Sequence, residues 1–171
     1  DIEKLGGTKL KDGFIDAVIA SNILSQVENK DRFIDEAKRI KGVKELSYED
    51  KEAIILNCIH GVDKDERAVE ICKLNLSLKL AERGHKLTEF HINIKCGDSL
   101  IDDGNVAGDK AFKWEEEFKS IMGSGGFDVV IGNPPYVNIF NMKENYRVYF
   151  QNHYETATNK SDLYAFFIER T

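Results

Sequence analysis

Three short apolar runs constrain this chain most. They are Cys58-Ile59-His60-Gly61-Val62, His91-Ile92-Asn93-Ile94-Lys95-Cys96 and Phe127-Asp128-Val129-Val130-Ile131-Gly132. Each is too short for an ordinary helix, rich in β-branched residues, and followed by a polar residue: Asp63, Gly97-Asp98 and Asn133. Such runs predict buried strands. Between the first two, Ala68, Val69, Ile71, Cys72, Leu74, Leu76, Leu78 and Leu80 form an apolar stripe. It predicts a helix capped by Asp63 or Asp65 and stopped near Gly84. Between the second and third lie a polar loop, 101–110, and a short helix, Phe112 to Met122, stopped by Gly123-Ser124-Gly125-Gly126. Strand, helix, strand, helix, strand predicts an α/β fold with a mostly parallel sheet and helices on both faces. Ligands bind such sheets at the carboxyl ends of the strands. Asp63, Asp98 and Asn133 all fall at such ends.

The rest of the chain divides around this core, 55–136. Residues 1–54 read as a helical N-terminal segment. It has a polar opening with Gly6 and Gly7, a helix over 13–27 from the spacing of Phe14, Ala17, Val18, Ile19, Ile23 and Leu24, and a helix over Asp31–Lys41. A third helix starts at Ser47, with Asp50 placed for a capping box. Residues 137–160 read as a long loop on the substrate side, and 161–171 as the start of a helix over Asp162–Arg170. At 42% hydrophobic and 32% charged residues, the chain has enough apolar material for a packed core, which argues against bulk disorder. No apolar run approaches a membrane span and no secretory signal opens the chain, so a cytoplasmic location is expected. Cys58, Cys72 and Cys96 have no CxxC spacing and read as reduced thiols; His60 near Cys58 has no second half, so no metal site is expected. His85, His91 and His153 show no partner in the pattern. The net charge of −6 argues against a basic nucleic-acid footprint, and Lys41, Lys44, Lys143, Arg147 and Lys160 form no clear stripe.

The chemistry concentrates in Asn133-Pro134-Pro135-Tyr136. Two prolines directly after an apolar strand cannot extend the sheet, because they lack donors and fix φ. They make a rigid turn that projects the Asn133 amide and exposes the Pro134 carbonyl. Two acceptors held close together suit an exocyclic NH2 group, which offers two donors. Accepting both hydrogens returns electron density to the nitrogen and readies its lone pair for attack on an electrophilic carbon. Tyr136 adds an aromatic face suited to stacking a flat base.

Phe127–Asn138 (FDVVIGNPPYVN), with Gly61–Leu80 (GVDKDERAVEICKLNLSLKL) upstream and Ser161–Arg170 (SDLYAFFIER) downstream, resembles the amino-group DNA methyltransferases. It is most similar to the N6-adenine enzymes of type II restriction–modification systems, some of which fuse a nuclease to the methylase. The resemblance runs from about Ile55 to the C-terminus. It implies a Rossmann-like class I methyltransferase sheet, S-adenosylmethionine as cofactor and double-stranded DNA as partner. It assigns the target amino group to Asn133 and the Pro134 carbonyl, with Tyr136 stacking on the flipped adenine and Phe167 packing against that base. It gives Asp63 to the cofactor ribose and Asp98, followed by Ser99, to the cofactor adenine. At Lys64 the family often carries an apolar residue covering that adenine, so the lysine stem would have to do the packing. Read alone, Asp63 is also a helix cap and Asp98 also the start of an Asx-turn.

One family feature is missing: no Gly-rich turn of the type DPACGSG precedes Asp63. The expectation is a piece of the sheet truncated at both ends, inert by itself. Other readings stay open. NPPY also serves enzymes that methylate a glutamine side chain in release factors, or adenine in ribosomal RNA. Cytosine-N4 enzymes more often carry Ser at the position of Asn133. A non-catalytic DNA-binding or assembly piece fits the missing turn. A nicotinamide oxidoreductase shares the acidic strand end but leaves NPPY unexplained. Glu115, Glu116 and Glu117 read as a solvated face, and Asp35-Glu36-Ala37-Lys38 as a surface echo of half a nuclease site. Tyr146, Tyr149, Phe150 and Tyr154, interleaved with Arg147 and His153, fit either a DNA-facing loop or a satellite core.

Overall fold

The computed structural model describes residues 17–20, 45–81, 85, 93–158 and 160–171. Gly6 and Gly7, Phe14, Ile23 and Leu24, the Asp31–Lys41 segment with Asp35 to Lys38, Lys44, Gly84, His91 and Ile92 lie outside them. Among the described residues four strands form one sheet in the order β3-β2-β1-β4, and each of their ladders is parallel. They are β1 (Ala17–Ala20), β2 (Ile59–Asp63), β3 (Ile94–Cys96) and β4 (Val129–Gly132). The helix expected over 13–27 is corrected here, because Ala17–Ala20 is the inner strand between β2 and β4. A four-residue run of Ala-Val-Ile-Ala satisfies either period. Two flanking strands decide the matter by pairing both of its edges.

Helix α1 (Tyr48–Cys58) begins as expected, with Ser47 Oγ accepting from the Asp50 amide at 3.1 Å. Its C-terminal carbonyls are gathered by Asn93, whose Nδ2 donates to Ile59 O at 3.0 Å and to Leu56 O. Asn93 is buried, and its own carbonyl accepts from the Gly61 amide at 2.9 Å. This one amide therefore joins the end of α1 and the start of β2 to β3. Helix α2 (Glu66–Leu80) is capped by Asp65, which accepts from the Arg67 amide at 2.9 Å. Val69, Leu76 and Leu80 of α2 pack with Ile55 and Ile59 over Ile94. Cys72 packs against the same cluster from the edge, whereas Ile71, Leu74 and Leu78 of the expected stripe are exposed.

Alternate residues of β2 serve opposite faces, as a pleated strand requires. Ile59 joins the α1 and α2 side, whereas Val62 packs on the other side with Phe112 and Phe118. The helix expected over Phe112–Met122 is two short ones, α4 (Trp114–Glu117) and α5 (Lys119–Gly123). They break at Phe118, whose φ of −122° and ψ of 48° swing its ring into the core. The 101–110 loop holds one short turn, α3 (Gly104–Ala107), and a 3-10 turn at Gly108–Lys110. β4 is not buried throughout: among the described residues it lies at the edge of the sheet, with Val130 exposed.

Segment 137–160 is not a plain loop. A 3-10 turn at Ile139–Asn141 precedes helix α6 (Glu144–His153). Tyr149, Phe150 and Tyr154 are buried with Leu100, Ile101, Ile139 and Phe166 of α7 (Leu163–Arg170). The satellite-core reading is the one that holds for these three. Two of the histidines that show no partner in the sequence have one in the fold: His85 stacks on Tyr48 at 3.8 Å and His153 on Tyr149 at 4.1 Å. Among the described residues, no helix is long and apolar enough to cross a membrane.

Candidate functional site

The strand register sets the site. Ala20 of β1 pairs with Val62 and with Gly132, so the next residues, Asp63 at the end of β2 and Asn133 just after β4, stand at one rim. With β1 between them, their strands lie two spacings apart, about 10 Å. Asp63 pairs in turn with Cys96, which places Gly97-Asp98 at the same rim. The order of the sheet reverses between β1 and β4, the kind of crevice where parallel sheets hold ligands.

Asp63 does not cap α2, because Asp65 does. Instead Asp63 Oδ1 braces the turn by accepting from the Asp65 amide at 2.8 Å, and its carbonyl accepts from the Gly97 amide at 2.9 Å. Asp98 is fixed from several sides. Its amide donates to Lys110 O at 2.6 Å, its Oδ1 accepts from the Leu100 amide at 3.3 Å, and its Oδ2 meets Lys64 Nζ at 2.6 Å. The Asx-turn and the charged contact thus coexist. Burial works against the charge on Lys64, but the hydrogen bond and charge of Asp98, with a contribution from Tyr146, outweigh it. The ammonium pKa rises above the ordinary lysine value. The same ammonium lies 5.0 Å from the centre of the Tyr146 ring on α6.

The loop after Asp98 is anchored along its length. Ser99 O accepts from Trp114 Nε1 at 3.0 Å, and Leu100 O from the Tyr154 hydroxyl at 2.6 Å. Asp102 Oδ1 accepts from the Tyr149 hydroxyl at 2.6 Å. That hydroxyl holds the Asp102 carboxyl below the usual carboxylate range; burial, then the bond to Asp102, pushes Tyr149 up to about 12. Cys72, behind β2, is pushed up to about 11 by burial and then by the charge of Asp63.

At the far side of the rim, Asn133 and Tyr136 are exposed and Pro134 is half-buried. An antiparallel clasp follows them. Ile139 N donates to Ser161 O at 3.1 Å, Leu163 N to Val137 O at 2.9 Å, and Asn138 Nδ2 to Lys160 O at 3.0 Å. This clasp brings the start of α7 beside the turn, with the Tyr164 and Tyr136 ring centres 5.9 Å apart. Tyr164 carried no assigned role in the sequence; the tyrosine inside Asp162-Leu163-Tyr164 was the available signal. Phe167 is half-buried against the core of Phe150 and Phe166. The structure therefore joins Lys64 to Asp98, Asp63 to Gly97, and Tyr136 to Tyr164.

One rim of the parallel sheet thus carries two carboxylates and an Asn-Pro-Pro-Tyr turn. The model of the Eco57I restriction-modification methylase family matches residues 57–171. The chain belongs to this family. A type II restriction enzyme and methyltransferase of Escherichia coli, RM.Eco57I, is 34% identical over 142 residues, 74% of this chain and 14% of that protein. A protein of Methanocaldococcus jannaschii named as a type II restriction enzyme and methyltransferase is 44% identical over 63 residues, 32% of this chain and 5% of that protein. The chain thus spans a small part of the length of these methylase-family relatives.

Proposed function

We propose that this chain carries the target-amino site and the adenosine side of the cofactor site of an adenine-N6 DNA methyltransferase in a restriction–modification system. The observation that carries the reading is the shared rim: Asn133 and the Pro134 carbonyl leave β4 beside the row from which Asp63 and Asp98 leave β2 and β3. S-adenosylmethionine supplies, when bound, an electrophilic methyl group on its sulfonium. Asp63 suits vicinal ribose hydroxyls and Asp98 an amino donor, so the adenosine half fits the side chains present. The residues following β1 are Ser21-Asn22-Ile23-Leu24, which contain no glycine, so the amino-acid half of the cofactor lacks the Gly-rich turn.

Asn133 Oδ1 and the Pro134 carbonyl accept the two amino hydrogens and leave the nitrogen lone pair directed outward. Tyr136, 80% exposed, offers a face to the base, with Tyr164 beside it; Phe167, one turn after Tyr164 on α7, is the residue proposed to pack against that base. A base reaches such a site only by leaving the stack, and stacking offsets part of that cost. Lys143 at the start of α6 and Arg147 one turn later give the substrate side its positive charge; Arg147 also lies 5.8 Å from the Phe140 ring. The parallel ladders and the reversal of strand order beside β1 support a Rossmann-like methyltransferase sheet.

The test uses the full-length protein, labelled S-adenosylmethionine and unmethylated duplex DNA, with an Asn133→Ala variant beside it. N6-methyladenine is expected with the parent and a fall of at least about a hundredfold with the variant, the scale of losing a positioning and charge-stabilising group. Label entering a protein glutamine or RNA instead replaces the substrate. No transfer to any acceptor leaves a DNA-binding or assembly role. The 171-residue chain assayed by itself is expected to show no transfer.

A further inference from the structure

Lys64 stands where three parts of the molecule meet. It follows β2, its ammonium is 2.6 Å from Asp98 Oδ2 beyond β3, and it lies over the Tyr146 ring of α6. Asp98 has little room for a further partner. Its side chain is only 12% exposed, Oδ1 faces the Leu100 amide and Oδ2 faces Lys64. Lys64 is 53% exposed, so it can leave without disturbing the core.

We infer that Lys64 is a positioning residue that couples the cofactor side of the rim to the DNA side, because its ammonium competes with the cofactor's amino donor for Asp98. This inference rests on the cofactor reading above. An amino group taking Asp98 must displace Lys64, and the displaced ammonium no longer ties Tyr146 to the rim. Tyr146 precedes Arg147 on α6, so cofactor occupancy reaches the helix that meets DNA. Coupling of this kind is reciprocal: DNA that draws Tyr146 away weakens the hold on Lys64 and favours the cofactor.

The test needs no catalysis. Affinity for S-adenosylhomocysteine, which is net neutral, is measured by calorimetry on the full-length protein and on Lys64→Met. Removing the competitor is expected to tighten binding about two- to fivefold, the range of a solvent-facing ion pair. In the unaltered protein the affinity is expected to rise with added salt, because salt screens the Lys64–Asp98 pair; in Lys64→Met it is expected to stay flat. Binding of a fluorescent duplex of random sequence is measured with and without S-adenosylhomocysteine. The ligand is expected to change duplex affinity in the unaltered protein, and the change to vanish in Lys64→Met and in Tyr146→Leu. Equal or weaker ligand binding by Lys64→Met, or no salt dependence in the unaltered protein, overturns the competition and leaves the cofactor reading standing. No binding by either protein overturns the cofactor reading and the competition with it.

Discussion

A Cβ placed on Gly97 would overlap the Phe112 ring and lie 2.9 Å from the Phe112 Cβ. Because that second contact is close to the backbone, a ring rotation cannot relieve it. Gly97→Ala is therefore expected to cost about 1–3 kcal/mol, as overpacking does, read as a lower urea midpoint. It also displaces Asp98, its immediate neighbour. The Asp102–Tyr149 pair gives a pH signature. Asp102 is depressed in the fold, so its contribution is present above the ordinary carboxylate pKa and lost as pH falls through the depressed value. Tyr149 is raised to about 12, so its contribution is complete below the ordinary tyrosine pKa, about 10, and lost as pH climbs towards 12. Tyr149→Phe is expected to cost about 1 kcal/mol between those limits. The gap between parent and variant, followed by urea unfolding across pH, should close at both ends. A gap that stays constant at high pH would remove Tyr149 ionisation from the account.

At the scale of elements, β2, α2, β3, β4 and α7 were legible, because each apolar run is bounded by a polar residue or a cap. Asp63, Asp98 and Asn133 were placed on one rim for the same reason. The strand β1 was not legible: Ala17–Ala20 carries no period of its own, and the apolar residues on either side supply a helical one. Helix α6 was hidden differently. Its N-cap, Lys143, makes no side-chain cap, and its buried residues, Tyr149 and Phe150, are adjacent rather than spaced by a turn. The Lys64–Asp98 contact joins residues 34 apart and has no local signal at all. Asn93 shows how one side chain can secure a junction between elements. Asn93→Leu would leave the carbonyls of Leu56 and Ile59 without their amide donor. A loss of about 1–3 kcal/mol is expected in thermal or urea unfolding. Hydrogen exchange should quicken first at the end of α1; an unchanged midpoint would sink this view of the junction.

Over the whole molecule, Ile71, Leu74 and Leu78 leave an apolar stripe on the outside of α2. The double change Ile71→Lys with Leu78→Glu is expected to alter stability by no more than about 1 kcal/mol, since both side chains are already in water. It should reduce self-association of the isolated chain in sedimentation velocity. A large loss of stability instead would mean that the stripe is buried in solution. The rim depends on a different kind of continuity. Leu100 and Ile101, just beyond Asp98, share one core with Ile139, Phe150 and Phe166, all downstream of the Asn-Pro-Pro-Tyr turn, and Tyr154 reaches back to the Leu100 carbonyl. Such a core has consequences for inheritance. Recombination between relatives that parts 98–102 from 137–167 would pair halves shaped for different partners, whereas exchanging both together keeps the fit. Lineages can shuffle what lies outside this block far more freely than they can cut through it.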